Sequence, residues 1–355
     1  MKILFVPSGC LPFHANTLAE RPLGGMETAV IRLAEALSAL GHRVIVLSGL
    51  PNPAVAEPLY LPIAAYGDVG PVDALIAVRE WKPLLLPIEA KVKMLWTGDS
   101  YDQPQNVGIG DHRVAARMDY LLAVSDWHAQ RLSEESGFPF EKTDVLRNGV
   151  HLADFSGSEN RHPKRLIYSS TPYRGLVHLP ELYLEIRKKH PDAELHIYSG
   201  YKVYAASSQY DRSALQQYAQ LVEVLKRLPG CTVHGNVRQS ELARAFMSSA
   251  VLAYPNTFEE TSCITAMEAQ AAGCVVVTTS RGALPETVGE AGMLIEGSPG
   301  TADYSAAFCS AIDRLFSEPE FFTQLSEAGR SRAVQFDWHN IARRFCAFLD
   351  RALSQ

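Results

Sequence analysis

What this chain lacks narrows it first. Its six cysteines, Cys10, Cys231, Cys263, Cys274, Cys309 and Cys346, are scattered with no C-x-x-C pair. That spacing offers no C-x-x-C metal pair and reads as reduced, mostly buried thiols. No stretch reaches 18 consecutive apolar residues, so no transmembrane helix is expected. The N-terminus, Met1-Lys2-Ile3-Leu4-Phe5-Val6-Pro7, lacks the length and cleavage site of a signal peptide, and the expected location is cytoplasmic. There is no basic excess either: the net charge is −6, and the first 150 residues hold more acidic than basic side chains. Nucleic acid is therefore not expected as a partner, and at most a peripheral membrane contact is. The histidines show no H-E-x-x-H or zinc-ligand spacing, and no Asp-x-Asp sits at a strand end, so no metal or other cofactor is expected. After the first strand the chain reads Ser8-Gly9-Cys10-Leu11-Pro12 in place of G-x-G-x-x-G, which makes a nicotinamide-dependent oxidoreductase a poor reading.

What is present is a regular alternation. Short apolar runs (Ile3–Pro7, Arg43–Leu47, Ala74–Val78, Val92–Trp96, Tyr120–Val124, Asp144–Leu146) are spaced by amphipathic stretches. Within Met26–Leu40, Ala29, Val30, Leu33, Ala34, Leu37 and Leu40 form one buried stripe, and Gly41 follows as a C-terminal cap. A polar stretch, Ser156–Lys164, reads as a linker. The pattern then restarts with strands at Leu166–Ser169, Leu195–Tyr198, Thr232–His234, Val251–Tyr254 and Val275–Thr278. Helices are expected between them at Val177–Lys189, Ser213–Leu228, Ser240–Met247 and Cys263–Ala272. An α/β protein of two Rossmann-like domains with parallel sheets follows, with ligands expected beyond the carboxyl ends of the strands in a central cleft.

The segment Phe258-Glu259-Glu260-Thr261-Ser262-Cys263-Ile264-Thr265-Ala266-Met267-Glu268-Ala269-Gln270-Ala271-Ala272-Gly273 carries the most chemistry. With a helix starting near Ser262 or Cys263, Glu260 lies in the loop feeding it and Glu268 in its second turn. A carboxylate inside that apolar run needs a partner, and a pair of sugar or ribose hydroxyls suits its forked acceptors. The N–H groups of Ser262, Cys263 and Ile264 would face an anion. Alone, such a glutamate pair is as readily a pair of solvated helix residues.

The segment, continued by Cys274-Val275-Val276-Val277-Thr278-Thr279, resembles the Glu-x7-Glu signature of retaining glycosyltransferases of family 4 (glycosyl transferases group 1), which adopt the GT-B fold. Other segments fall in that family's order: Gly24-Gly25-Met26-Glu27, Val124-Ser125-Asp126-Trp127, Leu146-Arg147-Asn148-Gly149-Val150-His151, Tyr173-Arg174-Gly175-Leu176, Gly282-Ala283-Leu284-Pro285-Glu286 and Phe336-Asp337-Trp338. The resemblance implies an acceptor-side domain over 1–155, a donor-side domain over 165–335, and a C-terminal helix, 336–355, returning to the first domain. It implies a metal-independent, retaining transfer from a nucleotide-diphosphate sugar, of the UDP or GDP type, to a hydroxyl acceptor. Glu268 would hold the donor ribose, Glu260 the transferred sugar, and the backbone at Cys263-Ile264 the diphosphate. Arg174 would neutralise the leaving phosphate, the job a metal does in other transferases. Gly24 and Gly25 would admit the donor phosphates; Val237-Arg238 is expected by the base because the preceding His234-Gly235-Asn236 ends a strand facing the cleft.

Two departures stand out. Where many members carry an arginine about five residues before the Lys/Arg-Gly step, this chain has Ser169-Ser170, so Ser170 becomes a hydroxyl donor toward phosphate. Where many carry His-Asp, it reads Trp96-Thr97-Gly98-Asp99-Ser100-Tyr101-Asp102. Asp99 is then the candidate for the acceptor hydroxyl, a helix cap being the alternative. His14 is a candidate on the acceptor side. The rival readings are an epimerase or hydrolase on the same frame and a catalytically weak relative that binds nucleotide sugar as a regulatory or scaffolding subunit.

Overall fold

A computed structural model describes residues 1–50, 57–201 and 212–354. The chain divides into two compact units, Met1–Gly149 with Gln335–Gln355, and Val150–Val334.

The first unit is a seven-stranded parallel sheet: β1 (Lys2–Pro7), β2 (Arg43–Leu47), β3 (Leu59–Leu61), β4 (Val72–Val78), β5 (Ala90–Trp96), β6 (Tyr120–Ala123) and β7 (Thr143–Val145). Their order is β3-β2-β1-β4-β5-β6-β7. Helices α1 (Thr17–Glu20), α2 (Gly25–Ala39), α3 (His112–Ala115) and α4 (Asp126–Ser136) lie between strands. Side chains alternate between the faces of a strand, so its apolar runs feed two cores. Ile3, Phe5, Val44, Val46, Ile76 and Trp96 join Leu33 and Leu37 of α2 on one face. Leu4, Val6, Ile45, Leu75, Ala77 and Leu95 join Ala129 and Leu132 of α4 on the other.

The second unit holds β8 (Arg165–Ser169), β9 (Glu194–Tyr198), β10 (Cys231–Val233), β11 (Val251–Tyr254), β12 (Val275–Thr279) and β13 (Gly292–Ile295). All pair in parallel, in the order β10-β9-β8-β11-β12-β13. Its helices are α5 (Leu179–Lys189), α6 (Arg212–Arg227), α7 (Gln239–Ser248), α8 (Ile264–Ala272), α9 (Leu284–Val288), α10 (Ala302–Ser317) and α11 (Pro319–Ala333). The last helix, α12 (Trp338–Ala352), belongs to the first unit, where Trp338, Ile341, Phe345 and Leu349 enter the core beside α2.

Two boundaries differ from the sequence reading. Val150–Phe155 groups with the second unit, because its 3-10 turn at Leu152–Phe155 buries Phe155 and packs on α7 and α8. The division therefore falls at Gly149, ahead of the polar stretch. Helix α8 starts at Ile264, since Cys263 takes the left-handed conformation (φ 75°). Strands β3 and β13 and the pair α10–α11 were not read from the sequence pattern.

Candidate functional site

In the second unit the strand order reverses direction between β8 and β11, which run side by side from the middle of the sheet. At such a switch point the two outgoing loops diverge and leave a crevice at the carboxyl ends of the strands. The loops are Ser170–Gly175 and Pro255–Cys263. Gly175 has φ 109°, and a Cβ there would run into the Pro255 carbonyl, so only glycine lets the loops touch. Tyr173 and Phe258 meet edge to face with centroids 6.0 Å apart, and Thr257 Oγ1 donates to the Tyr173 carbonyl at 3.3 Å.

This contact brings Arg174 onto Glu260. Its Nη1 donates to Oε1 at 2.9 Å and to Oε2 at 3.0 Å, and its guanidinium lies 4.3 Å from the Phe258 ring centroid. Glu260 is 4% exposed and accepts a second bond from the Tyr254 hydroxyl at 2.5 Å. Ser170 Oγ lies 3.2 Å from that hydroxyl and so joins the network. Burial alone would lower the Arg174 pKa, but the charge of Glu260 carries it well above its ordinary value, and the guanidinium stays charged. Burial, and then the Glu260 charge, push the Tyr254 phenol well up, so it keeps its proton. The loop is braced from behind. Ala283 N–H donates to the Glu260 carbonyl at 2.7 Å, Thr287 Oγ1 donates to the Ser262 carbonyl, and Gly282 (φ 60°) lies where a Cβ would strike the Glu260 backbone. The Gly-Ala-Leu-Pro-Glu turn thus holds the carboxylate loop in place.

The loop ends at the N-terminus of α8. Cys263 and Ser262 lead into it, and the buried Ser262 hydroxyl makes no hydrogen bond among the described residues. The first-turn N–H groups at Ile264 and Thr265 have no partner within the helix by its geometry. A cation, a helix N-terminus and an unpaired hydroxyl therefore gather where an anion would sit. Glu268 is in the second turn, buried, and accepts a hydrogen bond from Gln239 Nε2 at the start of α7. Arg238 is the N-cap residue of α7 with an exposed side chain, and Val237 precedes it, so both stand beside the Gln239–Glu268 contact.

The first unit has its own switch point, between β1 and β4. Arg79, directly after β4, has φ 74° and grips the Asp99 carboxylate at 2.8 and 3.3 Å. It also donates to the Gly9 carbonyl at 2.5 Å. This corrects the helix-cap reading of Asp99. The carboxylate caps no helix among the described residues, and its oxygens keep lone pairs for an acceptor hydroxyl while Arg79 holds them. Glu27, buried in the first turn of α2, accepts from Leu11 N–H at 2.9 Å. Gly24 and Gly25 open α2, but Gly24 has φ −74°, so no special conformation calls for glycine there. His14 is tied into its loop: its N–H donates to Thr17 Oγ1 at 2.9 Å, and its Nδ1 accepts from Asn16 N–H at 3.2 Å.

Tyr254, Gln239 and Arg79 were given no role from the sequence, and Glu27 was singled out only within its glycine-led segment. A signal existed for two of them. Tyr254 closes an apolar strand just before Pro255, and Arg79 follows directly on the apolar run of β4.

Residues 165–318 match the family described as Glycosyl transferases group 1. Among curated proteins, the chain is 25% identical to the D-inositol 3-phosphate glycosyltransferase of Pseudarthrobacter chlorophenolicus over 268 residues, 71% of this chain and 61% of that protein. It is 27% identical to the MMP alpha-(1->4)-mannosyltransferase of Mycolicibacterium hassiacum over 250 residues, 68% of this chain and 56% of that one. The chain thus spans roughly three fifths of the length of these relatives. Among solved structures, a glycosyltransferase from Rickettsia africae superposes with TM-score 0.73 at 18% identity, covering 99% of this chain and 98% of the other. Anabaena HepE in complex with UDP-glucose gives 0.69 at 14%, covering 99% and 100%. These likenesses establish an α/β fold of the GT-B type.

Proposed function

We propose, from the premise that residues 165–318 belong to the Glycosyl transferases group 1 family, that this chain transfers a sugar from a nucleotide-diphosphate sugar to a hydroxyl acceptor. The observation that carries the proposal is the gathering of Arg174, Glu260 and the α8 N-terminus at the switch point of the second unit, with Glu268 one helical turn further on.

Each group has a task in that reading. Glu268 accepts from two ribose hydroxyls, with Gln239 as its neighbour. The N–H groups of Cys263 and Ile264 and the Ser262 hydroxyl receive the diphosphate. As the anomeric carbon–oxygen bond breaks, negative charge grows on the departing phosphate and positive charge on the sugar ring. Arg174 and the helix N-terminus stabilise the first, which lets the reaction run without a metal. Glu260 holds the sugar hydroxyls and so fixes the ring against its acceptor. Retention follows if the acceptor attacks the face the phosphate leaves, its proton passing to the departing phosphate oxygen. UDP- and GDP-sugars are the donors to try first, HepE being seen with UDP-glucose. The acceptor would belong to polysaccharide, glycolipid or other glycoconjugate assembly.

The test is donor consumption in the presence of a chelator, with and without a mixture of glycan and glycolipid acceptors. Consumption that depends on acceptor supports transfer. Consumption of equal rate without acceptor points to a hydrolase, and none under either condition returns the binding-subunit reading.

A further inference from the structure

Glu260 makes two kinds of hydrogen bond, and they must meet different fates when a donor arrives. In the function proposed above, Arg174 turns to the diphosphate and Glu260 to sugar hydroxyls, and their ion pair opens in the exchange. Arg174 has somewhere to go. Its side chain is 26% exposed and lies over two rings, 4.3 Å from the Phe258 centroid and 5.7 Å from that of Tyr173. Glu260 does not: buried as it is, a carboxylate deprived of its cation cannot turn to water, and such a loss is costly. Tyr254 is as fixed as Glu260 is. Its fully buried ring packs edge-on against Tyr168 at 5.7 Å, its hydroxyl oxygen is 3.2 Å from Ser170 Oγ, and its O–H points at Glu260 Oε1.

Resting on that reading, we propose that Tyr254 is the positioning residue that keeps Glu260 in place while Arg174 exchanges it for the donor's diphosphate. The same exchange makes the site favour intact nucleotide sugar over nucleoside diphosphate. An intact donor gives phosphate to Arg174 and hydroxyls to Glu260, so both halves of the broken pair are satisfied. The product nucleotide satisfies only the first and leaves Glu260 with Tyr254 alone. Binding of the product therefore works against the re-forming ion pair, which helps expel it. Without the phenol, Glu260 would follow Arg174 or swing, and the sugar contact would fail while the nucleotide contact at Glu268 and Gln239 remained.

Calorimetric titration of the full-length protein with UDP, UDP-glucose, GDP and GDP-mannose tests this, comparing wild type with Tyr254→Phe and Glu260→Gln. Wild type should bind the sugar-bearing member of one pair more tightly than its diphosphate. In Tyr254→Phe, which keeps the ring, the diphosphate should bind as before. The nucleotide sugar should weaken about tenfold, the scale of one hydrogen bond to a charged group. In Glu260→Gln, where the ion pair is gone, the diphosphate should bind more tightly than to wild type. Equal losses for both ligands in Tyr254→Phe, or no loss for either, would overturn the assignment. So would weaker diphosphate binding to Glu260→Gln, whether or not the phenylalanine variant folds. If wild type binds none of the four, it is the transferase reading beneath the proposal that falls.

Discussion

His128 shows how much one side chain's surroundings decide. It lies buried in α4, its Nδ1 accepts from Val124 N–H at 3.3 Å, and its Nε2 donates to the Asp99 carbonyl at 2.9 Å. Those two bonds fix a neutral ring, and burial pushes its pKa down from 6.5 to about 4. The unfolded chain then binds one more proton than the native state between these values. Native stability is therefore full above about pH 6.5 and is lost as the pH falls toward 4, by roughly 3 kcal/mol for this group. Replacing His128 by glutamine should lower stability at pH 7.5 yet flatten its fall between pH 6.5 and 4.5, read from urea midpoints. An unchanged pH slope would show that the ring is not held neutral. At this scale the sequence was informative where a residue's role is local. The glutamates of the 258–273 segment and Arg174 could be singled out because charge sits in an apolar or glycine-flanked setting. Gln239 could not, because it acts through a partner 29 residues away that only the fold brings near.

Two elements hold their neighbours by contacts that a single substitution should break. Gly175 joins the β8 loop to the β11 loop at a left-handed backbone position closed by the Pro255 carbonyl. Gly175→Ala should cost about 1–3 kcal/mol of local strain. It should also weaken nucleotide-sugar binding by shifting Arg174, which a melting curve and a titration together would register. Helix α12 closes one core of the first unit, where Phe345 is 3% exposed and stacks on Phe348 at 6.1 Å. Phe345→Ala should destabilise that unit by about 3–5 kcal/mol, measured by denaturant titration, and leave the residues of the second unit untouched. The elements legible in sequence were those with strict patterning. The α2 stripe and the doubly buried strands β1, β4 and β12 could be read from apolar period alone. The 3-residue β3 was too short to carry a period, and β13 (Gly292–Ile295) opens on glycine with three partly exposed residues. The start of α8 was misread by one residue because nothing in Ser262-Cys263-Ile264 announces that a cysteine will take a left-handed conformation.

At the scale of the whole molecule, the chain leaves its first unit at Gly149 and returns at Gln335, so the residues proposed to hold the donor lie in one uninterrupted segment. Arg174, Gln239, Tyr254, Glu260, Ser262 and Glu268 all lie within Val150–Val334, and the family match falls inside it. The two-sheet plan was legible because parallel strands are buried on both faces and announce themselves twice. The division point was not, because the polar stretch at 156–164 looks like a linker while Phe155 is already packed in the second unit. The most direct measurement is the thermal shift produced by UDP- and GDP-sugars in the presence of a chelator, for wild type and Glu268→Ala. The account predicts that one nucleotide sugar raises the wild-type Tm increasingly with its concentration and that Glu268→Ala abolishes the shift. A wild type indifferent to every nucleotide sugar, or a variant that responds as wild type does, would contradict it.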